Sequence, residues 1–391
     1  MATMTQRRTP RRWTMLGLGV FAQSSCAVMV HGTPFLLPAL TGRGMPLPTA
    51  GLLVAMPTVG MVCTLIAWGY LMDRIGERAV LVAGPALMCA AGVAAATVTD
   101  YAVLGLLLFL AGIGAASTNG ASGRVIVGWF PPQQRGLAMG IRQAAQPLGV
   151  AIAALSIPAV AAAHGFSTAI LVPAVMAGGA ALGCLIGIVD PPRTAGAGPH
   201  PDNPYRGEST LWRIHGVSIL LVIPQATLWT FALLWLNRDA GLSLPVAGAI
   251  VTCTQLLGIA ARIGAGSWSD RVGSRLRPLH TVAIAAVISM TALAGAAWLH
   301  WWWAAIPILF AASAITVADN GLAFTAVAEI AGPYWSGRGL GIQNTGQHLA
   351  SAAVAPVFGA LVAAAGFPIT YMVAAVTAAV AIPLVPVRSG R

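Results

Sequence analysis

The sequence predicts an all-α membrane protein in which twelve transmembrane helices form two parallel repeats of six helices. Composition is the first reason, because the chain of 391 residues is 57% hydrophobic and only 8% charged, whereas an average soluble domain carries about 25% charged residues. Length is the second, since a spanning helix needs about 20 apolar residues and the chain has room for about a dozen. An internal repeat is the third. A soluble globular protein is excluded.

Twelve apolar segments follow one another along the chain. A polar stretch rich in proline and glycine, 190–212, separates the first six from the last six and is predicted to be a cytoplasmic linker. The predicted spans are, in order, 14–40, 49–72, 79–98, 101–128, 138–163, 167–189, 213–236, 245–268, 279–299, 304–330, 340–365 and 367–387. The predicted domains are a cytoplasmic segment 1–13, a six-helix bundle 14–189, the linker 190–212, a second bundle 213–387 and a cytoplasmic tail 388–391.

The arginines predict the orientation in the membrane. All 21 basic residues are arginines, and the net charge is +11. With the N-terminus in the cytoplasm, sixteen arginines fall on the inner side and two, Arg43 and Arg238, on the outer side. This bias follows the positive-inside rule, so we expect a multi-pass protein of a bacterial-type inner membrane with both termini cytoplasmic. The charge therefore reports topology, and no nucleic-acid partner is expected.

Two short patterns occur once in each half of the chain. One pattern, at an offset of 201 positions, matches Asn119 and Gly120 with Asn320 and Gly321. The other pattern lies in the loop that follows the second predicted helix and in the loop that follows the eighth. Its members, at an offset of 197 positions, are Gly69, Asp73, Arg74, Gly76 and Arg78 in the first loop and Gly266, Asp270, Arg271, Gly273 and Arg275 in the second. The two halves are therefore predicted to be parallel repeats.

The repeated loop G-x-x-x-D-R-x-G-x-R resembles the major facilitator superfamily of secondary transporters, and the resemblance covers nearly the whole chain. It implies that spans one, four, seven and ten line a central cavity, that spans three, six, nine and twelve face lipid, and that transport proceeds by alternating access. The sequence agrees: between their ends the four lipid-facing spans contain no Asn, Gln or charged residue, whereas spans one, four, five, seven, eight, ten and eleven do.

The two aspartates of the repeated loops have two interpretations. One is a solvated charged turn that merely satisfies the positive-inside rule. The other is a cytoplasmic gate formed by the ten repeat residues, in which each aspartate faces the positive N-terminal end of a helix from the other half. The resemblance implies that Asp73 faces the eleventh helix, which begins near Arg338, and that Asp270 faces the fifth, which begins near Arg135.

Asp319 is an acidic residue near the middle of the tenth span. A charged carboxylate at that depth costs at least about 2.5 to 3.5 kcal/mol. It is either a structural residue that is permanently protonated or hydrogen-bonded, or a proton-coupling site, because burial favours the protonated form of a carboxyl group.

Arg142 is the main candidate for contact with a substrate, because a guanidinium group binds a carboxylate through two hydrogen bonds. It shares a face of the fifth span with Gln146, and a polar stripe with i, i+3, i+4, i+7 spacing begins at Asn344 on the eleventh. The predicted substrate-binding residues are Arg142, Gln143, Gln146, Asn119, Asn320, Asn344, Gln347 and His348.

Other polar residues within the spans have structural explanations. Gln23, His31 and Gln225 are expected to form hydrogen bonds between helices. Arg124 either extends to the cytoplasmic interface or takes part in function. Arg262 is expected to pair with Glu329 in support of the gate.

The predicted function is secondary transport of a small solute. The segment from Trp129 to Gly149 looks like that of uptake or exchange carriers, several of which handle small organic anions, so we favour an organic anion or metabolite, with protons as a candidate coupling ion. A proton-coupled drug antiporter is the alternative, although span four lacks the Arg before Gly-x-Gly and span five the glycine cluster typical of that group. A membrane receptor or scaffold is the second alternative.

An enzyme is not expected. The sequence shows no acidic metal-binding cluster, nucleotide-binding glycine loop or nucleophile elbow. Five cysteines lie within apolar runs without ligand spacing, so we expect neither a disulfide nor a metal, and no cofactor. The expected partners are a small-molecule substrate and the lipid bilayer, and the expected assembly is a monomer.

Overall fold

The computed structural model describes residues 2–42, 44–190 and 203–387. This described part is helical and contains no β-strand, so the predicted all-α fold is confirmed. The α-helices are α1 Ala2–Gly32, α2 Leu37–Thr41, α3 Leu47–Ile75, α4 Glu77–Thr97, α5 Tyr101–Trp129, α6 Pro132–Gln143, α7 Ala145–Ala169, α8 Leu171–Gly187, α9 Thr210–Arg238, α10 Leu244–Val272, α11 Leu276–Trp298, α12 Trp302–Ala331 and α13 Ser336–Ala381. Arg43, most of the predicted linker and the tail 388–391 lie outside the described residues.

The helices begin and end at residues suited to those positions. Asp100 precedes α5, and its side chain accepts a hydrogen bond of 2.9 Å from the backbone N–H of Val103, which caps the helix. After α10, Gly273 adopts φ 65°, a left-handed conformation that glycine accepts without steric cost.

Within residues 2–42, 44–190 and 203–387, ten helical segments are long and apolar enough to cross a membrane. Two further predicted spans have a structural explanation. The sixth corresponds to the shorter apolar helix α8, and the twelfth is continuous with the eleventh in α13 but separated from it at Gly366, where φ is 81° and ψ is 174°. The ten segments, α8 and the division of α13 match the order of the predicted spans, and the count of twelve stays a prediction.

The chain forms two compact units. The first comprises Met1–Pro131, Ala144–Asp202 and Ala331–Thr345, and the second comprises Pro132–Gln143, Asn203–Ile330 and Gly346–Arg391. The start of the fifth span thus groups with the second unit and the start of the eleventh with the first. The predicted domain boundaries at 14–189 and 213–387 follow the sequence repeat and stay a prediction.

Glycines explain this grouping. In the second unit, a Cβ atom on Gly140 would lie 2.5 Å from the carbonyl oxygen of Arg262 in α10. In the first unit, a Cβ on Gly341 would lie 2.8 Å from the carbonyl oxygen of Leu65 in α3. Because the missing side chains let the two backbones approach so closely, α6 and the start of α13 each lie against a helix that belongs to the other half of the sequence.

Candidate functional site

Asp73, at the end of α3, lies against the N-terminus of α13. Its Oδ1 accepts a hydrogen bond of 3.0 Å from the backbone N–H of Gly337. Its Oδ2 accepts hydrogen bonds from the backbone N–H of Arg338 at 3.1 Å and from the Nε of that residue at 2.9 Å. The carboxylate therefore binds free N–H groups at the positive end of a helix, which is the contact implied by the family resemblance.

Arg124 completes this group of charges. The guanidinium, which is 5% exposed, reaches Asp73 Oδ1 at 2.8 Å and Glu77 Oε1 at 2.6 Å. We call Asp73, Glu77, Arg124 and Arg338 the first cluster. Two buried carboxylates hold Arg124 inside the protein, so it does not extend to the membrane interface. The sequence analysis missed Glu77, although an acid directly after Gly76 in the repeated loop was an available signal.

The other repeat residues of the first loop have separate contacts. A Cβ on Gly337 would lie 2.5 Å from Asp73 Oδ1, and one on Gly69 would lie 3.2 Å from the Cα of Arg338, so the helix crossing requires glycine. Gly76 has φ 96°. The backbone N–H of Arg78 donates to Asp190 Oδ1 at 2.7 Å, and its Nη2 donates to the carbonyl oxygen of Leu185 at 2.7 Å. The exposed Arg74 stacks on the Tyr70 ring at 4.4 Å.

Asp270, the equivalent aspartate in the second half, lies against the N-terminal part of α6. Its Oδ1 accepts a hydrogen bond of 2.9 Å from the backbone N–H of Gly136, and its Oδ2 one of 2.8 Å from Leu137. Arg275 Nη1 approaches Asp270 Oδ1 at 2.6 Å. The carboxylate again binds a helix terminus, while the exposed Arg271 of the same loop does not contribute to this geometry.

Glu329, near the end of α12, extends this second group. Its Oε1 lies 3.3 Å from Arg135 Nη1 and 3.3 Å from Arg275 Nη2. We call Asp270, Glu329, Arg135 and Arg275 the second cluster. Burial lowers the pKa of Arg275, but the hydrogen bonds and charges of Glu329 and Asp270 outweigh it, so that the pKa is raised overall. The predicted pair of Glu329 with Arg262 is wrong, because Glu329 lies near the end of its helix and reaches the loop arginines instead.

Asp319 and Arg262 are two further buried charged residues of the second unit. Asp319 is 1% exposed in α12 and Arg262 is 3% exposed in α10. Neither carboxylate oxygen of Asp319 has a hydrogen-bond partner in the described part of the chain. The Arg262 guanidinium carbon lies 5.8 Å from the centre of the Trp229 ring.

Paired amides connect helices within each unit. In the first, Gln23 donates to Asn119 Oδ1 at 3.1 Å. In the second, Asn320 donates to Gln225 Oε1 at 2.8 Å, and Gln347 donates to Asn320 Oδ1 at 2.9 Å. The hydrogen bonds expected for Gln23 and Gln225 between helices are therefore present.

Arg142 is 2% exposed and lies near the end of α6, which begins at Pro132 and not at 138. Its Nη1 donates to Gln143 Oε1 at 2.8 Å, and its guanidinium carbon lies 5.8 Å from the Phe324 ring. Gln146 instead contacts His31 at 3.2 Å between Nε2 atoms. Asn344 donates to the carbonyl oxygen of Leu340 at 2.8 Å within its own helix.

The predicted substrate-binding residues divide between the two units. The first unit holds Asn119, Gln146 and Asn344. The second unit holds Arg142, Gln143, Asn320, Gln347 and the half-buried His348.

Apolar helices that enclose charged and amide side chains, with the same aspartate contact in each half, define a multi-pass membrane protein of the transporter class. The sequence profile of the Major Facilitator Superfamily matches residues 20–355. The chain belongs to the Major Facilitator Superfamily, which confirms the resemblance in the repeated loops and points to transport rather than catalysis.

Known proteins resemble the chain over nearly its whole length. It is 47% identical over 386 residues to an uncharacterized MFS-type transporter, Rv2994, of Mycobacterium tuberculosis, an alignment that covers 96% of this chain and 85% of that protein. The proton:xylose symporter XylE shares its fold with a TM-score of 0.78 and 16% identity over 96% of this chain and 95% of XylE. The human organic anion transporter MFSD10 has a TM-score of 0.73 and 16% identity over 97% and 99% of the respective chains.

Proposed function

We propose that this protein is a secondary transporter of a bacterial inner membrane, with both termini cytoplasmic, that moves a small organic anion by alternating access. The observation that carries the proposal is the charge within the second unit. Among its described residues, the fully buried charged side chains are two arginines, Arg142 and Arg262, and one acid, Asp319. An excess of positive charge among apolar helices is costly unless an anion balances it.

Arg142 is the proposed substrate contact. A guanidinium offers a planar fork of donors that matches a carboxylate, and burial strengthens each charged hydrogen bond. Gln143 and the Phe324 ring hold the Arg142 guanidinium in place, so little side-chain freedom remains to be lost on binding. Gln143 Oε1 would give up its hydrogen bond with Arg142 Nη1 to the incoming carboxylate.

The two charge clusters are proposed to be the cytoplasmic gate. Each combines an aspartate on a repeated loop with the N-terminus of a helix from the other half of the sequence. Separating the helix from the aspartate breaks two backbone hydrogen bonds to a charged acceptor, which favours the closed arrangement when the contacts are intact.

The fold comparisons leave the substrate open to test, because XylE is described as a sugar symporter and MFSD10 as an organic anion transporter. The sugar, drug and anion alternatives make different predictions for one panel of compounds. Purified protein would be heated with sodium lactate, pyruvate, succinate and benzoate, with xylose and fucose, and with cationic drugs. A ligand at 100 times its dissociation constant stabilises a protein by about 2.7 kcal/mol, so binding would appear as a higher melting temperature.

We expect at least one carboxylate to stabilise the wild type, and Arg142→Ala to abolish that effect. Arg142→Lys should recover little of it, because the ammonium group lacks the fork geometry. Arg277→Ala, which removes an exposed arginine from the same unit, is the matched control and should behave as the wild type. Stabilisation by a sugar or a cationic drug, with no response to any carboxylate, would contradict the proposal.

A further inference from the structure

We infer that the start of α1 and the end of α5 form a binding site for an anionic phospholipid. In this site Arg11 and Arg12 bind the lipid phosphate, and the following turns of α1 hold an acyl chain. The site lies within the first unit, whereas Arg142, the proposed substrate contact, lies in the second. It is therefore independent of what the protein transports.

A group of positive charges without acids is the first argument. Arg7, Arg8, Arg11 and Arg12 occupy neighbouring turns of α1, and no acidic residue precedes Asp73 in the sequence. The ion pairs found among the described residues belong to other arginines of the chain. Like charges one helical turn apart destabilise a helix, so this group favours a bound anion. Clusters of arginine at the inner end of a spanning helix are typical binding sites for anionic lipids.

Aromatic rings at the end of α5 hold two of these arginines in place. The guanidinium carbon of Arg11 lies 6.0 Å from the centre of the Trp129 ring, and that of Arg12 lies 5.6 Å from the centre of the Phe130 ring. Trp13 packs edge-on against Phe130, with the ring centres 5.3 Å apart. Such contacts orient a guanidinium without neutralising its charge, so both arginines stay able to bind an anion with little loss of side-chain freedom.

The same surface joins three helix ends of the first unit. Trp129 Nε1 donates a hydrogen bond of 2.9 Å to the carbonyl oxygen of Val189, just beyond α8. The backbone N–H of Val189 in turn donates to Met15 Sδ in α1 at 3.4 Å. The next residue is an acid, Asp190, but its Oδ1 accepts a hydrogen bond of 2.7 Å from the backbone N–H of Arg78 in α4. The arginines of α1 thus lie on a braced surface whose neighbouring acid binds another helix.

An apolar strip beside the charges favours a lipid over a soluble anion. The stretch of α1 that is apolar enough to cross a membrane begins at Arg11, which places the arginines at the boundary between water and lipid. Trp13 and Phe21 are 42% and 39% exposed and lie about 12 Å apart along α1. Between them, a Cβ on Gly17 would have nothing within 4 Å. The strip therefore has open space between two exposed rings, where an acyl chain can lie.

Titration of the whole purified protein in a neutral detergent, followed by native mass spectrometry, tests this inference. Three probes separate headgroup charge, acyl chain and free anion: dioleoylphosphatidylglycerol, dioleoylphosphatidylcholine with the same chains, and inorganic phosphate. The measured quantity is the dissociation constant of the first molecule bound. We expect phosphatidylglycerol to bind about 25-fold more tightly than phosphatidylcholine, about fivefold for each of the two arginines, and more tightly than phosphate.

The variants should locate the site. Arg11→Gln with Arg12→Gln should weaken phosphatidylglycerol by about 25-fold and leave phosphatidylcholine unchanged. The matched control is Arg206→Gln with Arg277→Gln, which removes two exposed arginines elsewhere and should stay within about twofold of the wild type. Arg11→Gln alone changes an exposed position, so it keeps the test valid if the double variant is unstable, and it should lose about fivefold. Trp13→Ala should weaken phosphatidylglycerol but not phosphate.

Three results would overturn the inference. One is an unchanged affinity of the Arg11 and Arg12 variants for phosphatidylglycerol. Another is an equal loss in the control variant, which would mean that total charge alone attracts the lipid. The third is inorganic phosphate that binds as tightly as the lipid and is lost in the same variants, which would make this a site for a soluble anion. The carboxylate panel and Arg142→Ala test the proposed function separately, so either can fail without the other.

Discussion

The first and second clusters contain the same contact between an aspartate and a helix terminus, but differently placed arginines pair with the aspartate. In both, an aspartate binds two backbone N–H groups at a helix terminus, and two acids face two arginines. In the first cluster the aspartate's ion pairs come from Arg124 on α5 and from Arg338. In the second, the ion pair comes from Arg275 in the loop.

The repeat explains how this difference arises. At the offset of 201 positions Arg124 corresponds to Thr325, whose hydroxyl donates to the carbonyl oxygen of Gly321. The second half therefore lacks a helix arginine at this place, and the last arginine of the loop turns towards Asp270. The side chain of its counterpart Arg78 instead donates to the carbonyl oxygen of Leu185. Both halves thus share the contact between an aspartate and a helix terminus. The arginine that neutralises the charge of the aspartate differs between the halves.

The ion pair of Arg124 with Glu77 in the first cluster is more deeply buried than that of Arg135 with Glu329 in the second. The side chains of Arg124 and Glu77 are 5% and 1% exposed, whereas those of Arg135 and Glu329 are 22% and 23% exposed. Water screens exposed ion pairs, and an unpaired charge is most costly where water is absent. The first cluster should therefore be the more sensitive of the two to loss of an arginine.

Arg124→Gln should produce the largest effect. It leaves the carboxylates of Asp73 and Glu77 buried without their shared cation, which should destabilise the protein by about 3 to 5 kcal/mol. Arg135→Gln in the second cluster is the matched comparison, and we expect at most about 1 kcal/mol from this half-buried pair. Thermal or denaturant unfolding in detergent would measure both, and equal losses would remove the distinction between the clusters.

Gly266→Ala should have an intermediate effect, because the new methyl group would meet the backbone of Gly136. Forcing the helices apart should cost about 1 to 3 kcal/mol and slow transport. Gly264→Ala is the control on the same helix, since a Cβ there has nothing within 4 Å, and it should be neutral or slightly stabilising. Unfolding midpoints and flux measured on both variants would check this, and equal behaviour would mean that the close crossing does not matter.

The smallest effect should come from alkaline pH at the second cluster. The pKa of Arg275 is raised in the folded protein, so its stabilising contribution is fully present below the unfolded-state pKa and is lost only above it. Between about pH 7 and about pH 10 the guanidinium stays charged, and stability from this cluster should not change. The test compares unfolding of wild type and Arg275→Gln across that range, and a difference that shrinks with rising pH would show that Arg275 titrates there.

The sequence predicted which backbone segments meet but not which side chains pair. The helix order, the repeat and the contacts of Asp73 and Asp270 with helix termini follow from hydrophobic pattern, glycine spacing and family resemblance. Two ion pairs were not predicted, that of Arg124 with Glu77 and that of Glu329 with Arg135. Such pairs depend on where helices cross and on how far each side chain reaches, which a linear pattern does not encode. The same limit applies to Arg142, because α6 begins six residues before the predicted start of the fifth span and places this residue near the end of the helix.

The central claim is that the aspartate contacts hold the cytoplasmic side closed, and the accessibility of one cysteine tests it most directly. Ser336 precedes Gly337 in α13 and is 2% exposed. Ser336→Cys, in a background without the five native cysteines, would be labelled from the cytoplasmic side with an impermeant maleimide. With Asp73→Asn we expect labelling to accelerate by about tenfold, as loss of a charged hydrogen-bond acceptor implies, while transport slows and substrate affinity is retained. Unchanged labelling and flux would show that the loop is only a topological signal.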